Sequence, residues 1–376
     1  MKFSFSDEQK EFRSFVRRFM EDKSPTTAVR KLMETDRGVD TDVWRQMSQE
    51  LGLTAVHIPE AYGGQGFGIS ELAITVEEMG RALLCSPYFG TTVLAATAIL
   101  KGGTEADKKA LLPAIASGET IATLAYTEPS GLWGSNAIAM TAIANGSTHK
   151  LDGVKSFVLD GHWADIIVVA ARRPGTTGDD GLSLFTVKGD APGLTRERLE
   201  TADATRKLAR LTFKGVEAQL LGQEGNAAGA LRETLDVAAI CLANEMVGGA
   251  ERLFESAIDY AGLRMQFGRP IASFQSLKHK AADMLIDVEL ARSAAYYAAA
   301  AADEGDPEVS ALASLAKSGA ADAYMQTAIH TIQIHGGIGF TWDNDTHLWF
   351  KRAKSSEVFL GTSEYHRERL MQCWNV

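Results

Sequence analysis

Cysteine is scarce in this sequence, with three residues among 376: Cys85, Cys241 and Cys373. Their odd number and wide spacing give no disulfide framework and no metal-ligand pattern. Basic residues are outnumbered, since 38 lysines and arginines face 48 aspartates and glutamates, for a formal net charge of −10. Because phosphate binding needs a basic face, this balance argues against a nucleic-acid or anionic-membrane partner.

Long hydrophobic runs are also missing. No apolar stretch approaches the roughly 20 residues that span a bilayer, and residues 1–8 lack the apolar core of a secretory signal. We find no internal repeat and no low-complexity segment. The chain has 45% hydrophobic and 23% charged residues, which is ordinary for a soluble globular protein, and is long enough for two or three domains. We expect a cytoplasmic protein without a membrane span.

The texture of the sequence changes twice along the chain. Residues 1–120 carry apolar positions at helical spacing, beginning with the cap signal Ser6-Asp7-Glu8-Gln9. Residues 121–225 are short β-rich runs separated by turn residues, which is typical of a small antiparallel barrel or sandwich. Residues 226–376 return to helical spacing with many alanines. The sequence predicts an α+β fold, mostly α: an N-terminal α-helical domain (1–120), a middle antiparallel β domain (121–225) and a C-terminal four-helix bundle (226–376).

Two breaks in the last region combine hydrogen-bond donors with glycine. The first is Arg264-Met-Gln-Phe-Gly-Arg-Pro-Ile271, and the second is Gln333-Ile-His-Gly-Gly-Ile-Gly-Phe340. Arginine can bind a pyrophosphate through two parallel hydrogen bonds, and glycine lets backbone N–H groups approach a ligand. The donors Arg264, Gln266, Gln333 and His335 therefore suit an extended anionic ligand such as a dinucleotide. Taken singly, each break also fits an ordinary helix end or turn.

Together, in this order and at this separation, the two breaks resemble the acyl-CoA dehydrogenase family, whose members carry R-x-Q-F-G-x-P-I and later Q-x-x-G-G-x-G-F/Y. The resemblance covers essentially the whole chain, and the order helical, β, four-helix bundle agrees with it. It implies FAD-dependent α,β-dehydrogenation of an acyl-CoA thioester, with a proton taken from Cα and a hydride passed from Cβ to flavin N5. It also implies electron-transferring flavoprotein as the electron acceptor.

The resemblance assigns FAD contacts position by position. They are Thr127, Phe157, Arg264, Gln266, Phe267, Gln275, Gln333, Gly336, Gly337, Thr362 and Glu364. Glu364 stands where the family's G-T-S-Q segment has glutamine. The implied substrate contacts are Ser135, Asp236, Leu360 and Gly361, with the Leu360 N–H as a donor to the thioester oxygen. Because family members share flavin contacts across subunits, the resemblance also implies an oligomer, usually a tetramer built as a dimer of dimers.

Three departures affect the chemistry. The family's usual catalytic glutamate position is Leu360, and the position used by a smaller branch is Ala238; neither side chain can take a proton. Leu159 replaces the threonine of the family's W-x-T segment. The usual G-A-G-S-D after Pro129 is also altered. A substitute base is Glu245, about two helical turns beyond Ala238; the alternative is a structural glutamate paired with a bundle arginine such as Arg292.

Several interpretations stay open at this point. The chain is either a homotetramer using Glu245 or another base, or one subunit of an α2β2 enzyme in which a homologous chain supplies the base. Bacterial members that act on CoA thioesters of steroid side chains are often built the second way. The alternatives are a flavin-dependent monooxygenase on the same fold and a non-catalytic structural subunit. Histidines 279, 330, 347 and 366 share no ligand spacing, so we expect no metal site.

Overall fold

The computed structural model describes residues 6–376. Its α-helices are α1 (Asp7–Lys23), α2 (Thr26–Met33), α3 (Thr41–Arg45), α4 (Ile69–Arg81), α5 (Thr97–Gly102), α6 (Glu105–Ala116), α7 (Ala228–Leu263), α8 (Gln275–Glu304), α9 (Val309–His335), α10 (Thr346–Val358) and α11 (Ser363–Cys373). Its strands are β1 (Ala122–Ala125), β2 (Thr141–Asn145), β3 (Thr148–Leu159), β4 (Ile166–Arg172), β5 (Leu182–Lys188), β6 (Leu194–Leu199), β7 (Leu208–Leu221), β8 (Met265–Gln266) and β9 (Arg269–Pro270).

Local sequence signals account for several of the helix ends. The predicted cap of α1 is confirmed, because the Gln9 N–H donates to the Ser6 hydroxyl at 3.2 Å and the Ser6 N–H donates to the Gln9 amide oxygen at 3.0 Å. Glycines end two of the long helices: Gly305 follows α8 with a φ of 67°, and Gly336 follows α9 with a φ of 66°. Glycine adopts this left-handed conformation without a Cβ clash, which is why it stops helices.

The sheet is mixed. Its strand order is β1-β4-β2-β3-β7-β5, β6 pairs with β7, and β4 also pairs with β5, so the pairing closes on itself. Most neighbours are antiparallel, as predicted, but β1 runs parallel to β4, and β2 also pairs in parallel with β4 at Thr141 and Arg172. Parallel neighbours need a long crossover, and here the β2–β3 hairpin lies between β1 and β4 in the chain.

The chain forms two compact units. The helical unit comprises the residues up to Arg30, Ile69–Leu84 and Ala239–Val376, and the sheet-containing unit comprises Lys31–Gly68 and Cys85–Ala238. The division of the chain into domains at residues 120 and 225 stays a prediction. No helix among residues 6–376 is both long enough and apolar enough to cross a membrane.

Small side chains bring the long helices of the helical unit together. One buried cluster joins the C-terminal end of α7, the N-terminal half of α8 and the C-terminal end of α9; it consists of Ala257, Ala261, Met284 and Ile334. Alanine lets helix axes approach closely because it adds little bulk at the contact. The cluster therefore places the turn that follows α7 and the turn that follows α9 at the same end of the bundle.

Candidate active site

The turn between α7 and α8 presents the first group of predicted FAD contacts on a short hairpin. β8 and β9 pair antiparallel, and the Ile271 N–H donates to the Arg264 carbonyl at 2.8 Å. Phe267 at the tip has a φ of 52° and a side chain that is 90% exposed. Arg264, Gln266 and Gln275 are exposed as well. Their donor groups therefore lie on the surface of a closed turn.

The second group lies where α9 ends. Gln333 is exposed, and a Cβ built at Gly336 or Gly337 would meet no other atom within 4 Å. This backbone is therefore open to a ligand. His335, which the sequence offered as a further donor, is instead buried and stacks on Tyr260 with 4.3 Å between ring centroids. The prediction of His335 as a ligand donor is not supported, because the ring belongs to the core.

Leu360 and Gly361 form the sharp corner between α10 and α11, with φ values of 62° and 115°. Leu360 is 5% exposed, and its N–H has no hydrogen-bond acceptor within residues 6–376. A buried backbone N–H without an acceptor is rare in folded proteins. This donor is therefore a candidate contact for a ligand oxygen, and the leucine side chain beside it cannot exchange a proton.

The corner continues into the first turn of α11. Thr362 caps this helix, accepting from the Tyr365 N–H at 3.4 Å. Glu364 is exposed in the same turn, and hydrogen bonds from its own N–H and from Thr362 lower the pKa of its carboxyl group. Glu364 is therefore a carboxylate at neutral pH, whereas the glutamine of the resembled segment is uncharged.

Glu245 lies inside α7, in the helical unit. Its carboxylate accepts a hydrogen bond from Arg352 of α10 at 2.8 Å, and the side chains of Glu245 and Arg352 are 8% and 5% exposed. The arginine expected as a partner, Arg292, pairs instead with Glu251 and Glu289. A buried carboxylate bound to a buried guanidinium is what a structural role predicts. The assignment of Glu245 as the catalytic base stays a prediction.

The sheet-containing unit holds the other predicted flavin contacts. β3 has an irregular register between Lys155 and Val158, and Phe157 within this bulge has a φ of 56° and a side chain that is 49% exposed. The Ser156 N–H donates to the Thr127 carbonyl at 2.9 Å, which joins the bulge to the segment after β1. Bulges redirect side chains and are frequent beside active sites. The Phe157 ring is therefore available to stack on a flat ligand.

A buried ion pair fixes this bulge. Glu128 accepts from the Ala139 and Met140 N–H groups, each at 2.9 Å, and from the Lys155 ammonium at 2.8 Å. Burial lowers the pKa of Lys155 to about 8, against the attraction of Glu128. One carboxylate thus ties together the segments that carry Thr127 and Phe157.

The remaining predicted substrate contacts are also in the sheet-containing unit. Ser135 donates its hydroxyl to the Asp179 carboxylate at 2.5 Å, and Asp236 is 3% exposed on α7. Leu159 is 2% exposed, and its carbonyl accepts from the Thr123 hydroxyl at 2.7 Å. As the sequence implied, Leu159 supplies no side-chain hydroxyl at this position.

The residues present fit FAD in most respects. Arg264 and Gln266 stand exposed at the β8–β9 hairpin, and Gln275 stands exposed at the start of α8. Guanidinium and amide groups bind pyrophosphate oxygens well. Gly336 and Gly337 leave their backbone open. On the sheet-containing unit, the exposed Phe157 ring suits an isoalloxazine face. On the helical unit, these donors and the open backbone would hold the phosphates of an FAD. On the sheet-containing unit, taken by itself, Phe157 would cover one face of a flavin, while Leu159 supplies no hydroxyl for a hydrogen bond to the ring.

Family models for the N-terminal, middle and C-terminal domains of acyl-CoA dehydrogenases match residues 6–119, 123–216 and 228–373. The chain belongs to the acyl-CoA dehydrogenase family. The predicted fold is therefore confirmed, and FAD is the cofactor of this family.

The chain is similar to three proteins over almost its whole length. It is 36% identical over 355 residues to acyl-CoA dehydrogenase IpdE2 of Mycobacterium tuberculosis, which covers 94% of this chain and 93% of the relative. A chain from the structure of the electron transferring flavoprotein of Acidaminococcus fermentans is 31% identical, with a TM-score of 0.91 over 100% of this chain and 99% of that one. A variant of the Tcur3481-Tcur3483 steroid ACAD is 32% identical, with a TM-score of 0.89 over 98% of each chain.

Sequence reasoning missed the buried charges behind these sites: Glu128 with Lys155, Arg352, and Lys317 beneath the corner at Leu360. The partners of these charges lie 27 to 107 positions away along the chain, so no local pattern reveals them. Within residues 6–376 no group of three or more histidine, cysteine, aspartate or glutamate side chains could hold a metal ion.

Proposed function

We propose that this protein carries out FAD-dependent α,β-dehydrogenation of an acyl-CoA thioester as one subunit of an α2β2 assembly with a homologous chain. Membership of the acyl-CoA dehydrogenase family supports the reaction. The relatives named acyl-CoA dehydrogenases favour it over a flavin-dependent monooxygenase and over a non-catalytic structural subunit. The finer assignment depends on one observation, the buried Leu360 at the position where the resemblance implies the base.

The reaction needs a base because the α-proton of a thioester is only weakly acidic. Leucine has no group that accepts a proton, and Glu245 is bound to Arg352 at 2.8 Å. The Leu360 N–H, in contrast, is independent of the side chain and remains available to the thioester oxygen, where it would stabilise developing enolate charge. FAD, when bound, supplies the acceptor for the β-hydride. This chain would thus bind and orient, while a homologous subunit takes the proton.

The relatives suggest the substrate class and the acceptor. One of them is the acyl-CoA dehydrogenase IpdE2 of Mycobacterium tuberculosis, and another is described as a steroid ACAD. We therefore propose a bulky, polycyclic acyl-CoA as the substrate. Electron transferring flavoprotein is the proposed acceptor, supported by the similarity to a chain from the Acidaminococcus fermentans structure.

The test is an anaerobic absorbance titration near 450 nm, where oxidised flavin absorbs. The chain is purified alone and after co-expression with a homologous subunit, and each preparation is mixed with short, branched and steroid-type acyl-CoAs. We expect bleaching only in the co-expressed preparation. Bleaching by the chain alone at the same rate would overturn the α2β2 assignment.

A Leu360→Glu variant, with Leu360→Gln as its matched control, tests whether a missing base is what makes the chain dependent on a partner. Glutamate at the corner restores a proton acceptor beside the backbone N–H that would bind the thioester oxygen. Glutamine has nearly the same shape but is not a base. We expect the first variant alone to bleach with an acyl-CoA. Equal behaviour of the two variants would show that the lost base is not the cause.

A further inference from the structure

Two buried basic side chains hold the α10–α11 corner from beneath. Lys317 of α9 is fully buried, and its ammonium group donates to the Glu357 carbonyl at 2.7 Å and to the Gly361 carbonyl. His366 of α11 is 2% exposed, and its Nε2 lies 3.0 Å from the Leu360 carbonyl. The carbonyls on both sides of the Leu360 N–H are therefore engaged from inside the protein.

The protonation of His366 follows from its surroundings. Burial lowers the pKa of His366 to about 3, with nearby Lys317 and Arg369 acting in the same direction, so the ring is neutral. A neutral ring has one N–H, and a carbonyl can only accept; Nε2 therefore carries the proton that binds Leu360. Nδ1, 3.3 Å from the Ser314 hydroxyl, is then the acceptor.

Lys317 makes specific hydrogen bonds in the core. Carrying an ammonium group into a fully buried position is costly unless its hydrogen bonds are satisfied, and two of its acceptors are the carbonyls of Glu357 and Gly361. Those two carbonyls bracket Leu360, whose φ of 62° is uncommon for a residue with a Cβ. The lysine thus holds a strained corner at the residue whose N–H lacks an acceptor.

We propose that Lys317 and His366 are positioning residues that fix the direction of the Leu360 N–H toward the thioester oxygen. This inference rests on the proposed function, in which that N–H binds an acyl-CoA. Three carbonyls of the corner are held by these two side chains, and the Leu360 N–H is left as a donor without an acceptor within residues 6–376. Neither side chain would contact the substrate itself.

The infrared stretch of the thioester carbonyl tests whether these two residues position the Leu360 N–H or only stabilise the fold. A hydrogen bond to a carbonyl lowers its stretching frequency, so infrared difference spectra of but-2-enoyl-CoA labelled with 13C at the thioester carbon report the Leu360 contact directly. We expect a lowered frequency with the wild-type protein, in the oligomer as purified. Lys317→Met and His366→Leu should return the frequency toward its value in water and weaken binding about tenfold, as for one lost hydrogen bond.

Matched variants separate positioning from folding. His366→Gln keeps an N–H donor for the Leu360 carbonyl and should keep the lowered frequency, whereas His366→Leu should not. Lys354→Met removes a neighbouring lysine of α10 that is 63% exposed and should leave the spectrum unchanged. A lowered frequency retained in both Lys317→Met and His366→Leu would overturn this inference and leave the proposed function standing. A wild-type protein that binds no thioester would overturn the proposed function and the inference with it.

Discussion

Asp160 shows how a single buried carboxyl group links stability to pH. It lies in the sheet-containing unit, 5% exposed, with a φ of 51°. Burial raises its pKa to about 7, although nearby Trp163, Arg206 and Lys207 oppose that shift. Between pH 4 and 7 the folded protein therefore keeps a proton that the unfolded chain has released. The free energy of unfolding should fall with rising pH across this window, by up to about 1.4 kcal/mol per pH unit from this residue.

Asp160→Asn should abolish this slope. Asparagine cannot ionise, and it tolerates a positive φ as well as aspartate does. Above pH 7 we expect the variant to be more stable than the wild type, since it avoids burying a charge. Urea denaturation at pH 5, 6, 7 and 8 measures the difference, with Asp190→Asn, at an exposed aspartate, as the control. Parallel stability curves for Asp160→Asn and the wild type would contradict the prediction.

A stability measurement can decide whether the Glu245 carboxylate is structural or catalytic. Removing one partner of a buried ion pair leaves the other charge uncompensated, at a cost of about 3–5 kcal/mol. We expect Glu245→Gln to lower the free energy of unfolding toward that range, and the double variant Glu245→Met with Arg352→Met to lose less. Urea denaturation is measured on each variant, and acyl-CoA bleaching on the same variant co-expressed with a homologous subunit, because we expect no bleaching by the chain alone. Wild-type stability combined with loss of bleaching would instead identify Glu245 as the base.

At the scale of elements, α4 and α7 cross in backbone contact. A Cβ on Gly248 of α7 would lie 1.9 Å from the Glu77 carbonyl oxygen, and one on Gly80 of α4 would lie 2.1 Å from the Glu245 carbonyl oxygen. Two glycines thus let the helices touch where any side chain would separate them. The same contact sets the position of Glu245 on α7 relative to α4.

Gly248→Ala should therefore destabilise the helical unit. Overpacking typically costs about 1–3 kcal/mol, and contact with backbone rather than a flexible side chain leads us to expect the upper end. Gly262→Ala is the matched control on α7, because a Cβ there meets no atom within 4 Å; it should stabilise by up to about 1 kcal/mol through helix propensity. Thermal and urea unfolding of both variants test this. Equal effects of the two substitutions would show that the crossing is not tight.

The elements that sequence reasoning predicted are those with a strong local signal. The long helices α7, α8 and α9 carry apolar and small residues at helical spacing over 27 to 36 residues, and glycines mark the ends of α8 and α9. β6 has no such signal, because Arg196, Glu197 and Arg198 follow one another in a charged pattern that does not predict a strand. The parallel pairing of β1 with β4 was missed because strand direction depends on contacts far along the chain.

The sequence predicts the parts of the candidate site that are local motifs. It does not predict which distant residues bind one another. The hairpin at Arg264 and the turn at Gly336 follow from glycine, proline and donor residues close together in sequence. The ion pair of Glu245 with Arg352 joins residues 107 positions apart, and a helical pattern alone cannot select that arginine over Arg292. The bond from Lys317 to the corner is equally long in range.

At the scale of the whole molecule, the helical unit carries several large apolar side chains that are more than half exposed. Leu263 at the end of α7 is 81% exposed, and Met265 and Phe267 on the hairpin are 52% and 90% exposed. Ile286 and Leu290, one turn apart on α8, are 57% and 66% exposed. Clustered exposed hydrophobic residues mark interaction surfaces, whereas single ones do not. With the donors of Arg264 and Gln266 on the same turn, these residues lead us to predict that another subunit covers part of this surface.

We therefore expect the 40.5 kDa chain to sediment as an assembly, and as a mixed one when co-expressed with the proposed homologous subunit. Phe267→Asp and Leu290→Asp should each shift the assembly toward monomer, because a carboxylate cannot be buried there without a partner. Ile143→Asp is the control, since Ile143 is an exposed apolar residue of β2, at 53%. Sedimentation velocity gives the mass, and absorbance near 450 nm in the same run shows whether flavin leaves as the subunits separate. A wild-type chain that sediments as a monomer with flavin bound would contradict the role of the hairpin as a surface shared between subunits.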